Sequence, residues 1–236
     1  MNKIIVTTTI NEPTEATLKF ASMTDWHLIV VGDTKTPHSK YKNLKNITYL
    51  TPDDQENLSR ELSDAIGWKS IRRRNLGFLK AHQMGADVMA TVDDDNIPYE
   101  NWGKELHVGN EIEVDFYNDE LDVFDPISVT NHSELWHRGF PLQYISKRNP
   151  ILIGKRKIKC LVQADFWDGD PDIDAVCRIT KEPIVKFSKF DPFAANNIAP
   201  FNSQNTFIHR DLIPFYMVIP HIGRMDDIWG AYALQQ

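Results

Sequence analysis

The chain has 236 residues, of which 42% are hydrophobic and 25% charged, with a formal net charge of -7. That length can bury a sizeable core, the composition is that of an ordinary globular protein, and the acidic balance disfavours nonspecific binding to nucleic acid. No apolar run approaches the roughly 20 residues that span a bilayer. The brief Ile4-Ile5-Val6 run reads as a first strand, not a signal peptide. Cys160 and Cys177 form neither a C-x-x-C motif nor a disulfide framework. Free thiols in a reducing, cytoplasmic setting are therefore expected.

Lys3 to Ile10 reads as a buried strand of β-branched residues that ends at Asn11-Glu12-Pro13. Thr14 to Met23 reads as a short helix, and His27 to Val31 as a second strand that empties into the turn-rich Gly32 to Pro37. Asn46 to Leu50 gives a third strand. Thr51-Pro52-Asp53-Asp54 then opens a helix running towards Ile66. A second helix is expected around Ser70 to Met84, with Ile71, Phe78 and Leu79 in one apolar sector. The apolar run Val88 to Val92 is a fourth strand, and it delivers Asp93-Asp94-Asp95-Asn96 to a point where Pro98 forbids continuation. Strand-helix alternation over the first hundred residues predicts an α/β fold with a mostly parallel central sheet and right-handed crossovers.

Beyond Pro98 the pattern loosens. Asn101 to Asn149 is rich in aromatic, acidic and turn residues and has no long periodic run. Lys157 to Gln163, Pro183 to Phe187 and Asn205 to His209 read as later strands, and Asp211 to Met217 and Asp226 to Gln235 as helices. With no internal repeat or low-complexity linker, residues 1–236 are expected to form one domain. The chain ends at Gln235-Gln236 inside a helix-like stretch, either as a whole protein or as a piece of a longer one.

Open α/β sheets bind ligands at the carboxyl ends of their strands, where the triple aspartate falls. Residues i and i+2 on an extended segment point the same way, so Asp93 and Asp95 can share one cation. Hard carboxylate oxygens suit Mg²⁺ or Mn²⁺ bound together with phosphates. A bare D-x-D also arises as an acidic turn, so the rest of the chain has to decide. Asp33 leaves the second strand at the same sheet edge and can accept a hydrogen bond from a nucleotide base. Thr8, Thr9 and Asn11 would line the pocket floor. Arg72-Arg73-Arg74 opens a helix, where positive charge opposes the macrodipole unless an anion is present. Arg74 is the expected diphosphate ligand, the other two being solvated.

Asp168 to Asp174 has neither the glycine nor the glutamate of a calcium loop. Lys155-Arg156-Lys157 reads as a solvated basic strand. The histidines form no H-E-x-x-H, and no Walker loop, G-x-S-x-G or G-x-G-x-x-G is present. Asp226-Asp227 in Gly223-Arg224-Met225-Asp226-Asp227-Ile228-Trp229 can cap a helix or supply a general base for an acceptor hydroxyl.

Several short segments stand out, in order, along nearly the whole chain. They are Val30-Val31-Gly32-Asp33, Arg74-Asn75-Leu76-Gly77-Phe78, Val92-Asp93-Asp94-Asp95-Asn96 and Arg138-Gly139-Phe140-Pro141, followed by Trp167-Asp168-Gly169-Asp170-Pro171-Asp172, Asn205-Thr206-Phe207 and the acidic segment at Gly223. Together they resemble glycosyltransferases of the GT-A fold, in particular the STELLO family and the reversibly glycosylated polypeptides that include UDP-arabinopyranose mutases. The resemblance implies a metal-dependent hexosyl- or pentosyltransferase using a nucleotide-sugar donor, a UDP-sugar above all, and a separate acceptor. Residues 1–100 would be the nucleotide-sugar half and 101–236 the acceptor and sugar half. Asp33 would meet the base and Arg74 the nucleotide or its phosphates. Asp93, Asp94 and Asp95 would form the metal and ribose side, with Asp93 and Asp95 as metal ligands. Arg138 would contact phosphate or sugar. Asp227, and less directly Asp226, would activate the acceptor or hold sugar hydroxyls. The mutase-like relatives carry a glycosylated arginine four residues after the motif proline. Here that place is Ile145 and the nearest arginine is Arg148, which disfavours a mutase or self-glycosylating protein. A non-catalytic nucleotide-sugar-binding subunit is the other alternative.

Overall fold

The computed structural model describes residues 1–236. The chain runs β1 (Lys3–Thr9), α1 (Glu15–Ala21), β2 (His27–Gly32), β3 (Ile47–Leu50), α2 (Pro52–Leu58), α3 (Arg60–Ile66), α4 (Arg74–Gln83) and β4 (Val88–Val92). It continues through β5 (Glu111–Asn118), β6 (Ile151–Lys159), β7 (Val162–Ala164), α5 (Ala175–Thr180), β8 (Phe193–Ala195), β9 (Asn205–His209) and α6 (Asp226–Leu234). The main sheet has the order β3-β2-β1-β4-β9-β7. Its first four strands are mutually parallel, and β9 runs antiparallel to both β4 and β7. This is an α/β architecture with a mostly parallel central sheet flanked by helices, as in GT-A-like folds. No helix is long and apolar enough to cross a membrane.

Neighbouring residues of a strand face opposite sides, yet β1, β2 and β4 are buried at nearly every position, because both sheet faces are covered. Ile4, Val6, Ile29 and Val31 pack with Phe78 and Ala81 of α4 on one face. Ile5, Leu28, Val30, Ala90 and Val92 pack with Phe20 of α1, Trp26 and Phe207 on the other. α4 lies so close to the sheet that a Cβ on Gly77 would sit 2.4 Å from Val6 Cγ1 and 2.8 Å from Val31 Cγ2. That proximity carries the start of α4 to the carboxyl edge of β1 and β2.

The antiparallel β9 places Asn205 opposite Val92. The turn leading into β9, Asn202 to Gln204, therefore arrives beside the aspartates that follow β4. Loops after β1, β2 and β4 do open on one edge, because those strands are parallel.

Local structure departs from the sequence reading in several places. The helix expected from Thr51 to Ile66 breaks at Ser59, which is extended (φ -163°, ψ 99°) and accepts a hydrogen bond from Leu62 N to start α3. A serine cap outcompetes helix continuation there. The helix expected over 70–84 begins as a 3-10 turn at Ile71–Arg73, and Ile71 is exposed. Arg73, Arg74 and Asn75 are buried instead, which the apolar period does not reveal. Only one short 3-10 turn, Ile213–Phe215, forms within 211–217, where Pro214 lacks a backbone donor. Pro183 to Phe187 contributes a single bridge, Gly169 to Val185, rather than a strand. A second sheet, β6-β5-β8, occupies part of the irregular middle. Its signal was the alternation Ile112, Val114, Phe116 against Glu111, Glu113, Asp115. The acidic set stands opposite Lys159, Lys157 and Lys155 of β6 in register.

Candidate functional site

The three aspartates after β4 are not equivalent. Asp94 accepts hydrogen bonds from the hydroxyl of Thr9 and from Asn11 Nδ2 (3.1 Å), and its carbonyl accepts from Thr14, the cap of α1. It fastens the loop after β1 to the loop after β4. Asp93 accepts from Arg74 Nη2 and from Gln204 Nε2 at 2.6 Å. Asp95 makes no side-chain bond to another residue. Although the residue is exposed to solvent, partial desolvation of its carboxyl first, then the neighbouring Asp93 and Asp94 charges, push it above the ordinary range. Thr8, in contrast, donates its hydroxyl to Val31 O at 3.0 Å, within the sheet.

At the adjacent strand end, Asp33 is 2% exposed. Its carboxylate accepts from Thr34 N (2.6 Å), Thr34 Oγ1 (3.1 Å) and Ser70 N (3.1 Å). Burial raises its pKa, but the backbone donors Lys69, Thr34 and Ser70 outweigh that and hold it low. Asp33 thus ties β2 to the segment that leads into α4.

Arg74 is 1% exposed. A buried guanidinium is tolerated only when it is paired. Its Nη1 donates to Ser203 O (2.5 Å) and Ser203 Oγ (2.7 Å), while Nη2 holds Asp93. Ser203 in turn donates its N–H to Asp227 Oδ2 at 3.1 Å, with Oγ at 3.3 Å. Asp227 is gripped from the other side by Arg138, whose Nη1 and Nη2 reach its two oxygens at 2.9 Å each. Arg138 also forks onto Asp172, through Nε (2.6 Å) and Nη2 (2.8 Å), and donates to Arg224 O. Asp93, Arg74, Ser203, Asp227, Arg138 and Asp172 therefore form one continuous polar chain from the triple aspartate to the acidic pair.

This chain separates the roles of the two acids at the start of α6. Burial acts to raise the Asp227 carboxyl, but Arg138 more than cancels it and leaves the pKa below the ordinary value. Arg138 is raised in return, its hydrogen bonds to Asp227 and Asp172 outweighing its burial. Asp226 is shifted the other way, upward, by burial and by the Asp227 charge, with Arg72 only partly offsetting them. Its Oδ1 accepts from Asp227 N at 3.0 Å, and Oδ2 lies 2.9 Å from Arg72 Nε. That last approach brings the charges together without a hydrogen-bonding angle, since Arg72 Nε has no hydrogen-bond partner.

No three His, Cys, Asp or Glu side chains converge as a ready-made metal cage. Magnesium-type ions bound with nucleotides use one or two carboxylates and complete their shell from phosphates and water. The uncommitted carboxylate of Asp95 fits that chemistry, as does the buried, unpartnered Gln204 Oε1 on the side chain that holds Asp93.

The sequence reading singled out the arginine and aspartate members of the chain but not their couplings. Asp172 appeared only within a motif, and Ser203 and Gln204 were not singled out at all. The one available signal was their place just before the β9 strand, opposite Val92. Arg148, the alternative glycosylation position, pairs with the buried Asp125 at 2.6 Å and donates to Leu135 O.

Two proteins of Arabidopsis thaliana are similar to this chain in sequence. One, named probable glycosyltransferase STELLO2, is 26% identical over 231 aligned positions, covering 88% of this chain and 29% of the relative. The other, probable glycosyltransferase STELLO1, is 26% identical over 256 aligned positions, covering 98% of this chain and 32% of the relative. This chain resembles the STELLO glycosyltransferases. It spans about three tenths of the length of the curated relatives it matches. No family model matches it.

Proposed function

We propose that this chain carries the nucleotide-sugar site of a metal-dependent glycosyltransferase, which moves a hexosyl or pentosyl group from a UDP-sugar to a separate acceptor. The observation that carries the reading is the uncommitted Asp95 at the carboxyl edge of a parallel sheet, two residues from Asp93, which the Arg74–Ser203 link joins to Asp227 of α6. Mg²⁺ or Mn²⁺ held by Asp95 and Asp93 would neutralise the charge that builds on the departing diphosphate. Thr9 and Asn11, fixed by Asp94, shape the pocket floor beside Thr8, and Asp33 braces the wall that meets the base. The acceptor oxygen bonds to the anomeric carbon while the bond to the diphosphate breaks, its electron pair leaving on UDP. Asp226 takes the acceptor proton, because a raised carboxyl is the better base and Asp227 is held ionised by Arg138. Asp227 and Arg138 are then positioning residues.

Transfer to a separate acceptor is favoured over self-glycosylation because Arg148 and Arg138 are both bound to carboxylates. The two cysteines, free and buried, support a reducing, cytoplasmic setting. Calorimetry of UDP, GDP and CDP, each with and without Mn²⁺, on the unaltered chain and on Asp95→Ala, tests the reading. Metal-dependent binding of UDP that is lost in the variant supports it. Binding of none of the three sinks it, and UDP binding without turnover of any UDP-sugar leaves a non-catalytic binding subunit.

A further inference from the structure

Three consecutive arginines open α4, and the structure gives them different occupations. Arg73 is fully buried, hydrogen-bonded to Gln55 (2.8 Å) and Ser63, with its guanidinium over the Trp68 ring. Arg74 is 1% exposed and committed to Asp93 and Ser203. Arg72 alone is accessible, with its side chain 21% exposed. Its one guanidinium hydrogen bond goes from Nη2 to Gly223 O (2.5 Å), and its Nε touches Asp226 at an unproductive angle.

The segment bearing Arg72 is pinned to the rim of the site at both ends. Ser70 N–H bonds to Asp33, and Arg74 bonds to Asp93. Arg72 thus leaves the backbone between two residues anchored to the ends of β2 and β4, and its guanidinium reaches across to Gly223 O and Asp226 at the start of α6, on the rim a donor diphosphate would face. Phosphate oxygens accept two parallel N–H bonds from such a fork, and a dianion outcompetes one misaligned carboxylate contact.

We propose that Arg72 is a phosphate-binding residue of the donor site, and that its ion pair with Asp226 is a latch opened by the donor. With no donor bound, Arg72 covers the Asp226 carboxylate. When a diphosphate takes the guanidinium, the carboxylate is left free to receive the proton of an acceptor hydroxyl. Donor binding therefore precedes productive acceptor binding. The inference rests on the donor-site reading above.

A double-mutant cycle tests it, with UDP as probe and uridine, which lacks phosphate, as control, both followed by calorimetry on the full chain. Arg72→Ala is expected to weaken UDP about tenfold, the value of one charge-assisted contact, and to leave uridine unchanged. Asp226→Asn is expected to tighten UDP several-fold, because it removes the competitor for Arg72, and this gain should vanish in the Arg72→Ala background. Equal tightening with and without Arg72 would show a simple field effect and overturn the latch. Unchanged UDP affinity in Arg72→Ala would overturn it too. If circular dichroism shows Arg72→Ala misfolded, Arg72→Lys is read in the same way, since it keeps the charge and loses the fork. UDP binding that persists in the unaltered chain while the cycle shows no coupling removes the latch alone. Failure of the unaltered chain to bind UDP removes the donor-site reading and the latch together.

Discussion

Arg138 is the single side chain whose removal should disturb the site most. Its guanidinium forks onto Asp172 and onto Asp227, and those side chains are 10% and 7% exposed. In Arg138→Met the alkyl stem is kept and both carboxylates lose their counter-charge inside the protein. Breaking a buried pair by removing one partner costs about 3–5 kcal/mol, against at most about 1 kcal/mol for a solvated pair. The first figure applies, because the partners are buried and no other cation touches Asp172. Urea unfolding at pH 7, with the slope held constant, reads the loss as a lower midpoint. The pH dependence has a defined sign. In the unaltered protein Asp227 has a folded pKa below its unfolded value, so its contribution is present above about pH 4 and lost as pH falls through the lower folded value. In Arg138→Met the main cause of that lowering is gone and burial raises the carboxyl instead. Protonation then relieves the buried charge, and the gap between the two proteins narrows on acidification. Adding Asp227→Asn should recover part of the loss at pH 7. A deficit below about 1 kcal/mol, or a gap that widens as pH falls, would refute the description of a buried ionic chain.

Ser203→Ala removes the hydroxyl between Arg74 and Asp227 and should cost about 1–2 kcal/mol in urea unfolding, with UDP affinity falling in parallel. Gly77→Ala sets the helix-propensity gain of about 0.8–1.0 kcal/mol against overpacking of about 1–3 kcal/mol on Val6 and Val31. A lower thermal midpoint is therefore expected, and an unchanged or higher one would contradict the close approach of α4 to the sheet. Asp95 has a folded pKa above its unfolded value, so its ionisation opposes folding as pH rises through that value. Asp95→Asn should raise the urea midpoint of the ligand-free protein at pH 7 only slightly, because the residue is exposed and solvent screens the effect, with the gain fading near pH 4 where the carboxyl is protonated. Cys160, pushed up to about 11 by burial, and Cys177, also raised, should resist a thiol reagent at pH 8 until denaturant is added.

The amino-acid sequence by itself determined the parallel half of the fold. β-branched runs at Lys3, His27 and Val88, each ended by turn residues, specify buried strands through local sterics and burial alone. Parallel direction then places Asp33 and the triple aspartate on one edge. The same local chemistry announced α6, because Asp226 and Asp227 complement the start of a helix. What the residues do once they arrive was decided by the tertiary structure. Arg72, Arg73 and Arg74 are chemically identical and adjacent. Only the fold buries two of them and leaves the third at the rim, because Gln55, Ser63, Ser203 and Asp93 approach from 10 to 129 residues away. The division between Asp226 and Asp227 has the same origin. Both acids occupy the first turn of one helix, yet only Asp227 is lowered, by Arg138, which is 89 residues away in sequence and 2.9 Å away in space, while Asp226 is raised by burial and by the Asp227 charge. A carboxylate's charge state is set by its nearest partners in a low-dielectric interior, and those partners are a property of the folded chain.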